Sequence, residues 1–193
     1  MVSDTEIDNI VQTKEGDKVY SYGYIDRLRE DDKKVPNPNI VIPQKGCQEM
    51  FLACNTDIVI YGGKRGGGKS WALLADAMKD CNNKFFNATI FRKEIGDLEQ
   101  LESTSEDLYQ QFGSYNKSKN DMTWNFNKGA SVSLTYYAGT FSNFKDRFQG
   151  REIPYVGIDE ITQMEYEKFK YIMTDCRNSH FIPNRLFGTC NPD

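Results

Sequence analysis

The sequence is organised around residues 61–70, which read Tyr61-Gly62-Gly63-Lys64-Arg65-Gly66-Gly67-Gly68-Lys69-Ser70. From Gly63 onward this stretch follows the pattern G-x-x-x-x-G-K-S, which is typical of a phosphate-binding loop. Glycines allow successive backbone N–H groups to curl around a phosphate without clashes from Cβ atoms. The pattern predicts that Lys69 reaches the β- and γ-phosphates of a nucleotide and that the Ser70 hydroxyl holds Mg²⁺.

The flanks of this loop have the composition that the motif requires. Residues 57–61 form a short apolar run of the kind found in buried strands, and residues 71–78 have the composition of a helix. A strand, a glycine-rich loop and a helix in this order form the phosphate-binding motif. The helix points the positive end of its dipole at the anion. We therefore predict a nucleotide site at residues 63–70.

Length and charge limit the classes of function. The chain has 193 residues, enough for one domain with a sizeable core. The net charge of −4 gives no overall attraction to nucleic acid, so any contact with DNA must come from a local patch or from an assembled ring. No apolar run approaches the roughly 18 residues of a membrane-spanning helix. The five cysteines form an odd set without a C-x-x-C pair, which indicates free thiols in a reducing cytosol.

The region before the loop divides into two parts. Residues 1–42 are polar, and we interpret them as an N-terminal extension that wraps the domain or stays partly mobile. The nucleotide-binding domain is predicted to occupy residues 43–193. It begins with a short helix in which Met50, Phe51 and Cys54 are available for burial. Gln48 lies in the same helix pattern, and its amide suits either the N6 and N7 edge of adenine or a solvated position.

The middle of the chain predicts strands and one helix. Residues 87–93 have the pattern of a second strand, and residues 94–112 that of an amphipathic helix without a chemical role. Residues 124–126 and 131–137 alternate with period two around a turn, which indicates a hairpin that extends or edges the sheet.

Residues 138–152 combine aromatic and basic side chains. The spacing of the phenylalanines favours a place in the core over a platform for stacking nucleic acid bases. The arginines Arg147 and Arg151 lie just upstream of the next motif, so we keep them as candidates for function.

That motif is an apolar strand, residues 153–158, followed by Asp159 and Glu160. Neighbouring residues of a strand point to opposite sides. We therefore expect Asp159 to reach the Mg²⁺ ion while Glu160 addresses a different site, the attacking water. A carboxylate there can orient and deprotonate the water for in-line attack on the γ-phosphate. An ordinary acidic pair at the end of a strand is the alternative.

The last elements complete an α/β pattern. Residues 165–176 have the apolar spacing of a helix, and residues 185–190 form a final strand. Thr189 and Asn191 lie at its tip, where polar side chains can sense the γ-phosphate. The alternation of strands and helices predicts a mostly parallel central sheet flanked by helices, with the nucleotide at the carboxyl ends of the strands.

Six segments together resemble one family. They are residues 46–51, 57–70, 91–93, 148–153, 157–163 and 188–192. In this order and spacing the chain resembles, from about residue 43 to its end, the ATPase domain of the large terminase subunit of tailed bacteriophages. The loop arginine, Arg65, and the strand that ends in T-C-N-P are the most specific features. The resemblance implies a P-loop NTPase of the additional-strand, catalytic-glutamate type, truncated after the coupling-motif strand.

The resemblance also implies roles for the site residues. The residues it assigns to ATP binding are Gln48, the loop residues from Gly63 to Ser70, and Thr189 and Asn191, which lie in the motif said to couple hydrolysis to movement. The residues it assigns to catalysis are Lys69, the loop arginine Arg65, and Glu160 as the base. Ser70 and Asp159 become the ligands of Mg²⁺.

An arginine finger is the one role whose position the resemblance leaves ambiguous. Terminases carry this finger in the segment before the Asp-Glu strand, where it acts on the nucleotide of a neighbouring subunit. Many relatives have Arg-Gly where this chain has Gln149-Gly150, so the role moves to Arg147 or Arg151. We favour Arg147.

The implied activity is Mg²⁺-dependent ATP hydrolysis that drives viral double-stranded DNA into a procapsid. The implied partners are double-stranded DNA, the portal protein, the small terminase subunit and further copies of the chain in a ring on the procapsid. The isolated fragment is expected to be monomeric. The implied location is the host cytoplasm, with transient docking on the procapsid and no membrane contact.

One departure from the family is large, because terminases usually continue into further strands, a lid subdomain and a nuclease domain. This chain ends after the coupling motif, so we expect weak activity and no nuclease function. Two alternatives stay open. One is another P-loop ATPase such as a helicase, against which the T-C-N-P strand argues. The other is a nucleotide-binding assembly module without turnover, against which the intact loop and the acidic pair argue.

Overall fold

A mixed sheet forms the centre of the fold in the computed structural model, which describes residues 41–118 and 121–191. The strands are β1 (Ile58–Gly62), β2 (Asn87–Arg92), β3 (Gly113–Ser118), β4 (Asp121–Phe126), β5 (Ser131–Tyr136), β6 (Tyr155–Ile158) and β7 (Arg185–Cys190). The helices are α1 (Cys47–Leu52), α2 (Lys69–Ala77), α3 (Leu98–Tyr109), α4 (Phe141–Phe148) and α5 (Tyr166–Asp175), with single 3₁₀ turns at Ile95–Asp97 and Ile161–Gln163. The predicted extension, residues 1–42, lies outside the described residues except for its last two positions.

The strand order is β1-β7-β6-β2-β5-β4-β3. The strands from β1 to β5 in this order pair in parallel, while β4 and β3 are antiparallel additions at one edge. This arrangement confirms the predicted α/β fold with a mostly parallel sheet. The predicted hairpin is β4–β5, but β3 was not predicted because its sequence, GSYNKS, lacks an apolar alternation.

Helices cover both faces of the sheet, and the strands divide their apolar residues between two cores. On β2, Ile90 packs into the core with α1, α2 and α3, whereas Phe91 packs into the core with α4 and α5. The same alternation assigns Phe187 and Leu186 of β7 to opposite faces. These are the two faces of a pleated strand, on which successive side chains point in opposite directions.

The first strand differs from its prediction. The apolar run at residues 57–61 was expected to be buried, but Ile58 and Ile60 are 48% and 56% exposed. The reason is topological, because in the described part of the chain β1 pairs on one side only, with β7. In α1, Phe51 is buried as expected, whereas Met50 is exposed, so the expectation for Met50 was wrong. Cys54, which follows the helix, is half-buried.

A buried charged cluster fixes α2, the helix that follows the phosphate loop. Lys79 donates to the Leu52 carbonyl at 2.6 Å and forms an ion pair with Asp76. Arg185, at the start of β7, contacts Asp80 at 2.6 Å. Burial lowers the pKa of Lys79, and Asp76 opposes that shift. The cluster therefore joins α2 to α1 and to the first residue of β7, at the edge of the sheet opposite the carboxyl ends of the parallel strands.

Close packing of α2 on the sheet depends on a glycine in β6. A Cβ atom on Gly157 would lie 3.1 Å from a side-chain carbon of Ile90 and 3.4 Å from one of Leu73. The absence of a side chain lets α2 approach the strand that precedes the acidic pair.

Among the described helices, none is both long and apolar enough to cross a membrane.

Candidate active site

The register of four parallel strands brings several of the predicted site residues together. Ile158 of β6 pairs with Gly188 of β7 and with Phe91 of β2. One residue further along, Asp159 therefore lies between Thr189 and Arg92. Tyr61 pairs with Thr189, which places the phosphate loop at the same edge of the sheet. The carboxyl ends of these strands form a continuous row, as expected for ligand sites in parallel sheets.

The phosphate loop enters α2 through glycines with left-handed backbone angles. Gly66 has φ of 79° and Gly68 has φ of 66°, values that residues with a Cβ rarely adopt. A Cβ on Gly68 would also clash with the Gln48 side chain. The loop residues from Lys64 to Gly67, including Arg65, are exposed. The loop thus presents its backbone to solvent at the start of a helix, where an anion is stabilised.

Lys69 lies inside the loop rather than extending from it. Its Nζ donates to the carbonyl oxygens of Gly63 and Lys64, at 2.7 and 2.8 Å. The side chain is largely buried. Two backbone carbonyls already hold the ammonium group within the loop. A phosphate that binds there would therefore contact a positive charge that is already positioned.

The Ser70 hydroxyl contacts the carboxylate of Asp159, although the two residues are 89 positions apart in the sequence. The Ser70 Oγ lies 3.1 and 3.0 Å from the two carboxylate oxygens. Thr189, which is fully buried, donates its hydroxyl to the same carboxylate. This pairing of a hydroxyl with a carboxylate offers the hard oxygen donors that Mg²⁺ prefers.

In the described part of the chain, no group of three or more His, Cys, Asp or Glu side chains is arranged to hold a metal ion. A site with one carboxylate and one hydroxyl instead fits an ion that takes its other ligands from water and phosphates.

Glu160 adopts an unusual backbone conformation. It has φ of 56° and ψ of 53°, in the left-handed region, because β6 ends at Ile158 and the chain turns into a 3₁₀ turn. Its N–H donates to the Thr189 hydroxyl at 3.1 Å, and its carboxylate accepts from Gln163. The expectation that Asp159 and Glu160 point to opposite sides of a strand was wrong, since one arginine contacts both carboxylates.

That arginine is Arg92, for which the sequence suggested no role. Its Nη1 donates to Asp159 Oδ2 at 2.7 Å, and its Nη2 lies 3.4 Å from Glu160 Oε1. The sequence held one signal, since Arg92 closes an apolar strand and the carboxyl ends of parallel strands meet at one edge. The order of the strands, which sequence patterns do not give, was the missing information.

Gln48 lies beside the loop. Its amide donates to the Gly68 carbonyl at 3.1 Å and accepts from the Gln44 N–H at 2.7 Å. Both ends of the buried amide are therefore engaged by backbone. At the tip of β7, the Oδ1 atom of Asn191 is buried without a hydrogen-bond partner among the described residues.

Arg147 does not lie in this cluster of contacts. It donates to the Thr135 hydroxyl at 2.9 Å and lies over the Tyr136 ring at 4.4 Å. These residues line a groove of about 610 Å³ beside β5 and α4, and the exposed Arg151 lines it too. Among the described residues, Arg147 therefore contacts Thr135 and the rings of Tyr136 and Phe148 rather than the acidic pair.

A buried tyrosine, Tyr137, lies next to Arg92. The Tyr137 N–H donates to the Arg92 carbonyl at 3.0 Å. Burial, and to a smaller extent the carboxylates of Glu165 and Glu160, raises the pKa of Tyr137 far above its ordinary value. The hydroxyl therefore stays neutral and supplies no charge to the site.

The comparison with family models matches residues 60–193 to "Terminase large subunit, T4likevirus-type, N-terminal". The chain belongs to the large terminase subunit family. The match spans the phosphate loop, the acidic pair and β7. A comparison with curated protein sequences found no match.

Solved structures of large terminases share the fold. The large terminase of the thermophilic bacteriophage D6E is 20% identical over 72% of this chain, with a TM-score of 0.59. The large terminase of bacteriophage HK97 is 12% identical over 79% of this chain, with a TM-score of 0.57. A D6E structure in complex with ATP-gamma-S matches with a TM-score of 0.55 at 19% identity over 72% of this chain. The chain spans about a third of these proteins, 33–34% of their length.

We predict that Thr189→Val destabilises the fold. Valine has the shape of threonine but no hydroxyl, so Asp159 loses a donor and the Glu160 N–H loses its acceptor. Asp159 keeps Ser70 and Arg92, whereas the Glu160 N–H is left unpaired, which costs about 1–3 kcal/mol of unfolding free energy as measured by urea denaturation.

The matched control is Thr174→Val, in which the exposed hydroxyl only donates to the Tyr171 carbonyl within α5. We expect a change within about 0.5 kcal/mol there, as for most surface substitutions. Equal stability of Thr189→Val and the unmodified chain would show that the Thr189 hydroxyl does not hold the acidic pair.

Proposed function

We propose that this chain is the ATPase motor domain of a phage large terminase subunit and that it hydrolyses ATP in a Mg²⁺-dependent reaction. The observation that carries the proposal is the contact of Ser70 with Asp159 beside a complete phosphate loop. That contact joins the two motifs on which ATP hydrolysis depends in P-loop enzymes. The domain occupies residues 43–193, with residues 1–42 as an extension.

In this proposal each group has a separate task. The loop amides and Lys69 bind the β- and γ-phosphates, and Gln48 releases its backbone partners to contact adenine. Ser70 and Asp159 hold the Mg²⁺ ion, which neutralises phosphate charge when it is bound. Glu160 accepts the proton of the attacking water.

Three further residues sense or stabilise the γ-phosphate in this proposal. Arg65 on the exposed loop reaches the phosphate from one side. Thr189 and Asn191 lie at the end of the strand next to the acidic pair. Thr189 already joins Asp159 to the Glu160 N–H, so a change at the nucleotide passes directly to β7. This link supports the role of the β7 tip as the coupling element.

The family supports a motor that moves double-stranded DNA into a procapsid. In this role the domain works in a ring with the portal protein and the small terminase subunit, in the host cytoplasm. The matched D6E terminase has been solved with ATP-gamma-S and with ADP, which supports ATP as the nucleotide here.

We predict that Glu160→Gln retains ATP binding but loses hydrolysis. Glutamine is nearly the same size, yet it cannot accept the proton of water. We expect the rate of phosphate release to fall by about 10²–10⁴ in single-turnover assays with the assembled full-length protein in excess over ATP.

The control for this substitution is Glu167→Gln, which removes an exposed carboxylate of α5 outside the site. It is expected to release phosphate at the unmodified rate. Near-normal turnover by Glu160→Gln would rule out Glu160 as the base.

We further propose that Arg147 acts in trans on the nucleotide of a neighbouring subunit. Two observations support it. Arg147 makes its described contacts with Thr135 and two aromatic rings rather than with the acidic pair of its own chain. Thr135 and Tyr136 also hold the guanidinium at the carboxyl end of β5. The side chain is therefore already ordered and loses little conformational entropy when a partner subunit binds.

The test of Arg147 mixes subunits in the motor assembled from the full-length protein. Glu160→Gln subunits keep the finger and lack the base, whereas Arg147→Ala subunits keep the base and lack the finger. Mixing the two inactive variants should restore hydrolysis at their shared boundaries, since a finger in trans is worth about 10³–10⁵ in rate.

The control mixes Glu160→Gln with Lys69→Ala subunits, which both lack a working site of their own, and we expect no recovery. If the Arg147→Ala mixture also fails to recover at every ratio, with assembly verified, Arg147 does not act in trans, and either Arg151 is the finger or Arg147 acts within its own subunit.

A further inference from the structure

Strand pairing fixes Arg92 beside the acidic pair. Arg92 is the last residue of β2, and the residue before it, Phe91, pairs with Ile158. The Asp159 N–H donates to the Phe91 carbonyl at 2.9 Å, so the backbone pairing continues to the edge of the sheet. The position of the Arg92 side chain is thus set by the sheet itself rather than by a loop.

The two nitrogen atoms of the Arg92 fork address different carboxylates. Nη1 contacts Asp159 Oδ2 at 2.7 Å, and Nη2 lies 3.4 Å from Glu160 Oε1. The arginine side chain is 11% exposed and that of Asp159 is 2% exposed, so solvent screens this contact weakly. A planar fork with fixed nitrogens can bridge two carboxylates, whereas a lysine ammonium is a single point charge.

Arg92 also balances the charge of the site. In the part of the chain that the structure describes, the ion pairs of Asp159 and Glu160 are both with Arg92. The Lys69 ammonium group instead donates hydrogen bonds to the loop carbonyls. Without Arg92, two adjacent carboxylates would repel each other in a largely buried place.

One oxygen atom is shared between Arg92 and the candidate cation site. Asp159 Oδ2 accepts from Arg92 at 2.7 Å and from Ser70 at 3.0 Å. A divalent cation that binds between Ser70 and Asp159 would therefore meet a guanidinium charge on the same carboxylate. The phosphates of a nucleotide would offset that repulsion, whereas water would not.

We propose that Arg92 is a positioning residue with two effects. It holds the Glu160 carboxylate beside Asp159, and it opposes the binding of a divalent cation at Ser70 and Asp159 until a nucleotide brings its own negative charge. The cation then enters together with the nucleotide rather than before it. This inference rests on the proposed function, but its first test needs no turnover.

The test measures Mn²⁺ binding to the nucleotide-free chain by electron paramagnetic resonance. Arg92→Gln should bind Mn²⁺ about tenfold more tightly than the unmodified chain, because a unit charge about 6 Å from a dication repels it to that extent even in water. Arg92→Lys keeps the charge, and Lys93→Gln removes a neighbouring exposed charge that makes no ion pair with Asp159 or Glu160. Both should bind Mn²⁺ within about twofold of the unmodified chain.

Turnover gives the second measurement. Arg92→Lys loses the fork but keeps the charge, so kcat should fall about 10-fold or more while KM for ATP stays within about twofold. A folded Arg92→Gln chain that binds Mn²⁺ no better than the unmodified chain, or no detectable Mn²⁺ in either, would overturn the proposal. If the unmodified chain fails to bind or hydrolyse ATP, the proposed function fails instead, and the Mn²⁺ comparison still decides the role of Arg92.

Discussion

The carboxylate of Asp159 is the point on which the site depends. Side chains from three other elements contact it: Ser70 from α2, Arg92 from β2 and Thr189 from β7. These contacts exist only because the parallel registers place the ends of β1, β7, β6 and β2 side by side. A slip of one residue in any pair would turn the side chain to the other face of the sheet. The sheet and the site are therefore specified together.

Several polar groups of the site have hydrogen-bond partners within the chain in this structure. Lys69 is held by loop carbonyls, Gln48 by two backbone groups, and the acidic pair by Arg92. Binding of a nucleotide and a cation must exchange these internal contacts for new ones, so only the difference between the two sets contributes to affinity. A site of this kind keeps its buried charges paired before the ligand arrives.

The local elements could be predicted from the sequence, whereas their neighbours in space could not. The loop, the helix α2 and the strand before Asp159 follow from glycine spacing and apolar runs within a few residues. The exposure of Ile60 and the contacts of Arg92 depend instead on the order of strands that lie far apart in the chain. The left-handed turn at Glu160 was missed because nothing in a glutamate side chain favours that conformation.

The phosphate-binding loop is tested most directly by the affinity for ADP, measured by isothermal titration calorimetry for the unmodified chain and for Lys69→Ala. The unmodified chain should bind ADP, and Lys69→Ala should bind it about 10- to 100-fold more weakly, because a charged hydrogen bond to phosphate is lost. Lys170→Ala, which removes an exposed charge of α5, should leave the affinity unchanged. Equal affinity of Lys69→Ala and the unmodified chain would contradict the assignment of residues 63–70 as the phosphate-binding loop.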